Sequence, residues 1–246
     1  MNGGGARSGV DWEKQRVRER VWALLDESRA VHDASARGRI PNFKGADEAA
    51  RRLAELPAWH SARAVKAVPD KAQLPVRARA LAEGKTVFMA VPRLADPRPF
   101  YLLDPTALTV PPGEAASSKV AAAVASKVGV ESMPAVDLVV VGSVAVDRSG
   151  TRVGKGAGYS DLEFAFLAEA GLVRAQTVVV TTVHRAQVVD EELPCARHDF
   201  GVDVIVTPDE VIACDRPHRP AGLVWDELDA EKIASIPALA ARAPER

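Results

Sequence analysis

Apolar and polar positions along the chain follow two periodicities. Leu138 to Val146 is β-branched and nearly uncharged, and Thr86 to Val91 and Thr177 to Val183 share that character. Unbroken apolar runs of this kind predict strands covered on both faces, as parallel strands are. Ala62 to Val68 and Val202 to Val206 read as two further strands. Elsewhere the period lengthens to that of a helix. Val17, Val21, Leu24, Leu25 and Val31 predict a helix capped by Asp11 and running to about Asp33. Ala46 to Leu56 predicts a second, with Ala49, Leu53 and Leu56 turned inward, and Val76 to Glu83 a third that stops at Gly84. Ser117 to Val128 combines strong helix formers with a capping serine, and DLEFAFLAEAG, from Asp161 to Gly171, starts on an acid. The proline-rich segment Arg93 to Pro112 is expected to be irregular or edge structure. Strands and helices in this alternation predict an α/β fold, an open and mostly parallel sheet flanked by helices.

Length and charge narrow what such a fold does. The 246 residues suit one domain over residues 11–226, preceded by a glycine-rich stretch, 1–10, expected to be disordered, and followed by a peripheral helix or tail, 227–246. Lys and Arg total 32 against 33 Asp and Glu, so no global field draws the chain to nucleic acid or to an acidic membrane. Neither is expected as a partner, and any anion site must be local. Two cysteines, Cys195 and Cys214, form no CxxC pair, which argues against a disulfide scaffold and a zinc site and suits a reducing cytoplasm. No apolar run approaches the roughly 18 residues of a membrane span, so a soluble, cytoplasmic protein is expected.

The local anion site has an obvious place. Arg148 to Ser160 holds Gly150, Gly154, Gly156 and Gly158 with Arg152 and Lys155 among them, between the longest apolar run and a helix. Alternating glycines let backbone N–H groups approach an anion, the two cations add charge, and the helix presents its positive end. The loop is neither a Walker A motif nor a dinucleotide fingerprint, yet a nucleoside triphosphate suits it. Asp161, at the junction of loop and helix, reads equally as a helix cap and as a Mg²⁺ ligand, with Asp199 as a second carboxylate. Asp203 reads as a strand terminus, and the His198–Asp199 pair lacks the second histidine cluster of a metal-dependent hydrolase. Lys14 and Arg18 lie one turn apart and share a helix face, which the pattern alone reads as solvated. His184 is expected to be a satisfied histidine at a strand end, the four tryptophans to be packing groups, and Tyr159 to serve core or cleft equally. These loops all follow inferred strand ends, where ligands of open α/β sheets bind.

At GTRVGKGAGYSD the sequence resembles the 5-formyltetrahydrofolate cyclo-ligase family, also called methenyltetrahydrofolate synthetase, whose signature is a basic GxGxGYYD loop. Lys14 and Arg18 match the family's Lys-x-x-x-Arg pair, HDFGVD matches its late acidic segment, and the resemblance spans about residues 12–226. RIPNFKGADEAA, VPDKAQ and DLVVVGSVAV are similar to the methenyltetrahydrofolate synthetase domain-containing branch, which in animals adds an RNA-recognition domain; no counterpart of that domain occurs within these residues. The resemblance implies a NagB/RpiA/CoA-transferase-like fold and an ATP- and Mg²⁺-dependent ligase of one-carbon metabolism. In that family the formyl oxygen of 5-formyltetrahydrofolate attacks the γ-phosphate of ATP, and the intermediate cyclises to 5,10-methenyltetrahydrofolate with release of phosphate. It further implies that Lys14, Arg18, Arg152, Gly154, Lys155, Gly156, Gly158 and Tyr159 hold ATP, Lys155 and Tyr159 acting in catalysis, and that Asp161 and Asp199 hold magnesium. Ser160 stands where the family has its second tyrosine, and Gln73, expected to bind the substrate, where it places a folate-contacting glutamate. These departures keep two alternatives open, a diverged relative acting on a non-folate small molecule and a non-catalytic regulatory module.

Overall fold

The apolar runs become the centre of one sheet. The structure, a computed structural model, describes residues 9–215 and 217–244. Helices α1 (Gly9–Glu27), α2 (Ala46–Leu53) and α3 (Pro57–Ser61) precede strand β1 (Ala64–Ala67). Next come α4 (Leu74–Ala82), β2 (Thr86–Ala90), β3 (Phe100–Leu103), α5 (Pro112–Ala115), α6 (Ser118–Val124) and β4 (Ser126–Val128). The central run supplies β5 (Val136–Val141) and β6 (Ala145–Asp147), followed by β7 (Arg152–Val153), α7 (Tyr159–Glu169) and β8 (Val173–Thr182). The chain continues through β9 (Val188–Val189), β10 (Val204–Val206), β11 (Val211–Ala213), α8 (Ala230–Ser235) and α9 (Pro237–Ala240).

The large sheet has the order β11-β10-β8-β5-β1-β2-β3-β4, and β6 joins β7 and β9 in a small one. Strands β10, β8, β5, β1 and β2 run parallel, while β11, β3 and β4 are antiparallel additions at the edges. The architecture is thus the mostly parallel α/β sheet read from the sequence. Alternate residues of β5 explain why the run is unbroken: Leu138 and Val140 pack with α2 and α4 on one face, Val139 and Val141 with α7 and the C-terminal helices on the other. The chain leaves β1 toward β2 on one side and returns as β5 on the other, so a crevice opens beyond the carboxyl ends of these strands.

Several boundaries differ from expectation for local reasons. Helix α1 ends at Glu27, not Asp33, because Arg29 turns left-handed and the Asp26 carboxylate takes Ser35 Oγ and Ala36 N–H instead. Asp11 lies within its first turn and does not cap it. The run Leu138–Val146 breaks after Val141, where Ser143 hydrogen-bonds Thr181 at 2.9 Å and the chain passes to the small sheet. Residues expected to close the 117–128 helix form β4, since Val128 and Ser126 pair with Phe100 and Leu102. The glycine-rich N-terminus lies outside the described residues, apart from Gly9 and Val10, which are helical. The tail expected to be peripheral buries Ile236, Ala238 and Leu239 in the core beside α7. Trp22 and Trp59 pack as expected, but Trp12 is 59% exposed. Among the described residues no helix is long and apolar enough to cross a membrane.

Candidate functional site

A cavity of about 580 Å³ lies beyond the ends of β1, β2 and β5, lined by Val68–Asp70, Val91–Arg93 and Gly142. The glycine loop closes one side, and Lys14 and Arg18 reach it from α1. That pair is buried, not solvated as the helical pattern alone suggests. Arg18 Nε donates to Gly154 O at 2.7 Å, so the helix and the loop brace each other. Gly156 and Gly158 have φ values of +100° and +71°, conformations that side chains resist, and Gly158 leads directly into α7. Among the described residues no side chain caps α7, which leaves its first N–H groups beside the cavity.

The two aspartates assigned to magnesium each hold a cation of the same cavity. Asp161 sits in the first turn of α7, so it is not the cap, and accepts from Arg152 Nη2 at 2.7 Å. Arg152 is itself buried, its guanidinium 4.1 Å from the Phe200 ring, which stacks on Phe164. Its Nε has no hydrogen-bond partner among the described residues. Asp199 accepts from Lys14 Nζ and from Ala196 N–H. Among the described residues no three His, Cys, Asp or Glu side chains gather as a metal cage. Magnesium arriving with a nucleotide needs less, one or two carboxylates with phosphates and waters completing its shell, and this pair of oxygen donors fits it. His198 pairs with Glu227 and does not join a metal cluster. His184 caps a short turn by accepting from Ala186 N–H, and burial lowers its pKa, as suits a structural histidine. Asp203 accepts from Val179 N–H at 2.7 Å and pairs with Arg219.

The floor corrects one assignment. Gln73 does not line the cavity; it is fully buried, with Nε2 donating to Thr182 Oγ1 at 3.0 Å and Oε1 without a donor among the described residues. The loop presents Asp70 instead, 3.9 Å from Lys155 Nζ. Burial raises the pKa of Asp70 against the pull of Lys155, Arg77 and Lys66. Arg77 holds this loop by donating to the carbonyls of Val68, at 2.5 Å, and Asp70, at 3.0 Å; burial lowers its own pKa to about 10, and it stays charged at neutral pH. In the floor Lys66 of β1 pairs with Glu163 of α7 at 2.5 Å, both buried, and Glu163 borders the cavity. A lysine inside an apolar strand and a glutamate inside an apolar helix were visible signals of a buried pair, although nothing local joined them. Tyr159 and Ser160 line the cavity as the first residues of α7.

Fold and site together define an α/β protein with a cation-rich cavity at the strand ends, built on a glycine loop and a helix start. A family model, 5-formyltetrahydrofolate cyclo-ligase family, matches residues 10–208, and the chain belongs to that family. It is 42% identical over 242 residues to the methenyltetrahydrofolate synthase domain-containing protein of Mus musculus, covering 92% of this chain and 62% of that one. The Homo sapiens protein of the same name is 40% identical over 247 residues, covering 94% and 61%. The chain thus spans about three fifths of the length of these curated relatives. The solved structure of Aquifex aeolicus 5,10-methenyltetrahydrofolate synthetase matches with a TM-score of 0.52 at 21% identity, covering 83% of this chain and 92% of that one, which supports the fold.

Proposed function

We propose that this protein is an ATP- and Mg²⁺-dependent cyclo-ligase that converts 5-formyltetrahydrofolate to 5,10-methenyltetrahydrofolate with release of ADP and phosphate. One observation carries the reading: the glycine loop, Lys14, Arg18, Asp161 and Asp199 meet in a single cavity. In this reading the N–H groups of Gly154, Gly156 and Gly158 and the cations Lys14, Arg18, Arg152 and Lys155 hold the triphosphate, with Tyr159 at its edge. Asp161 and Asp199 would hold magnesium, which when bound neutralises phosphate charge. The formyl oxygen bonds to the γ-phosphorus as the bond to ADP breaks. N10 then closes on the formyl carbon as the carbon–oxygen bond to phosphate breaks, and the N10 proton leaves. Asp70 accepts a substrate N–H at the floor. Little covalent chemistry falls to side chains, so positioning and charge neutralisation supply most of the rate. The free thiols Cys195 and Cys214 accord with a reducing, cytoplasmic setting.

The test mixes protein, 5-formyltetrahydrofolate and Mg-ATP and follows methenyl absorbance together with ADP. Both should rise in step and neither without ATP; absence of both would refute the reading. The burial of Gln73 and the presence of Ser160 favour one alternative, the same ATP chemistry on a non-folate small molecule in cofactor salvage. ADP formation that depends on another substrate and not on the folate would select it. Nucleotide binding without ADP formation would point to a regulatory module.

A further inference from the structure

The family match ends at residue 208, yet the chain beyond it returns to the cavity, where Glu227 and Lys232 are lining residues. The return is anchored at several points. Ile236, Ala238 and Leu239 are buried against the core, and the Arg242 guanidinium lies 4.8 Å from the Phe166 ring of α7. Leu223 N–H donates to Glu169 at 2.9 Å, Glu227 pairs with His198, and Asp229 caps α8 through Lys232 N–H. A segment held this firmly sets where its side chains stand.

Lys232 stands in a repeating relation to the loop. A Cβ built on Gly154 would lie 3.3 Å from Arg152 Nη1, one on Gly156 would lie 3.3 Å from Arg18 Cζ, and one on Gly158 would lie 3.1 Å from Lys232 Nζ. Each alternate glycine therefore leaves its side-chain space to one cation. Two of those cations belong to the family-matched part of the chain; the third comes from outside it. Among the described residues Lys232 Nζ has no hydrogen-bond or ion-pair partner in the protein. An unneutralised ammonium at the rim of a glycine-rich loop is suited to an anionic ligand.

We propose that Lys232 is a fifth cation of the phosphate cradle beside Lys14, Arg18, Arg152 and Lys155, a nucleotide-binding residue that the C-terminal segment adds to the family's own set. The inference rests on reading the loop as the site of a nucleotide's phosphates. Calorimetry on the full chain would compare a non-hydrolysable ATP analogue, with Mg²⁺, and adenosine as ligands of the wild type, Lys155→Ala, Lys232→Ala and Lys232→Arg. Loss of one charge-assisted contact predicts analogue affinity reduced roughly tenfold to a hundredfold in Lys232→Ala. Adenosine affinity and the thermal midpoint should be unchanged, and Lys232→Arg should recover part of the loss. Wild-type affinity in Lys232→Ala beside a weakened Lys155→Ala would overturn this role while leaving the nucleotide reading intact. A parallel loss of adenosine affinity would also overturn it, since that marks a structural effect. A wild type that binds no analogue would remove the nucleotide reading and this inference with it.

Discussion

The loop wall and the floor of the cavity carry similar side chains but hold them differently. On the wall Lys14–Asp199 and Arg152–Asp161 are pairs whose members face the cavity, so an incoming polyphosphate and its cation can exchange partners with them. In the floor, Lys66 and Glu163 are buried as a pair at the strand ends, Glu163 alone of the two bordering the cavity, Asp70 is desolvated, and Gln73 Oε1 lacks a donor among the described residues. A pair with both members on the cavity can be spent on a ligand; a pair whose cation is enclosed fixes the fold around it. Substitutions on the wall should therefore cost binding, and substitutions in the floor should change stability.

The hardest test of that division is Lys66→Met. It leaves Glu163 buried without its cation, a situation that costs about 3–5 kcal/mol, whereas Lys66→Met with Glu163→Met should recover most of the loss. Urea unfolding of both variants checks this, and a single-variant cost below about 1 kcal/mol would show that the pair is not desolvated. On the wall, Lys155→Ala should weaken ATP binding by about tenfold or more, near 1.4 kcal/mol. Its side chain is 43% exposed, so the urea midpoint should not move. Unchanged affinity would mean that the loop is not the phosphate cradle. Gly142→Ala tests where the two regions meet. A Cβ there would lie 2.7 Å from Ile40 Cγ2, 3.1 Å from Gln73 Oε1 and 3.3 Å from Asp70 Oδ2. Because Ile40 is half-buried and can give way, the cost should fall near the low end of overpacking, about 1 kcal/mol, with weaker binding of the folate but not of ATP.

The same contrast explains how much of the molecule was legible in its sequence. The parallel sheet showed itself because β5 and β8 are buried on both faces, which removes polar alternation and leaves a local signature. The loop wall showed itself because glycines and cations at short spacing are a local motif. The floor did not. Whether Gln73 or Asp70 faces the cavity depends on a short turn at Lys71–Gln73 and on Arg77 gripping the carbonyls of Val68 and Asp70, a tertiary arrangement that no spacing announces. Lys232 was invisible for a related reason. Its distance in sequence from the loop is closed by tertiary contacts, the burial of Ile236 and Leu239 among them, and an alanine-rich tail with few large apolar residues reads as peripheral until that packing is seen.

Asp70→Asn gives the smallest effect and the finest test, because it should move stability and function in opposite directions. Burial is the first cause of the raised pKa of Asp70, and its side chain is only 20% exposed. An acid whose pKa rises on folding is held more tightly by its proton in the native state. Its stabilising contribution is therefore complete below the ordinary aspartate range and is lost as pH climbs through the raised value. At neutral pH the ionised carboxylate is a net cost that asparagine, of the same shape and without charge, does not carry. The variant should exceed the wild type in stability at pH 7 by on the order of 1 kcal/mol or less, with the difference vanishing below about pH 4. Affinity for the substrate should fall, since the amide accepts a substrate N–H less strongly than a carboxylate does. A stability difference independent of pH would show that Asp70 is not desolvated in the way its position requires. A more stable variant with undiminished substrate affinity would make Asp70 a structural group of the floor that does not contact the substrate.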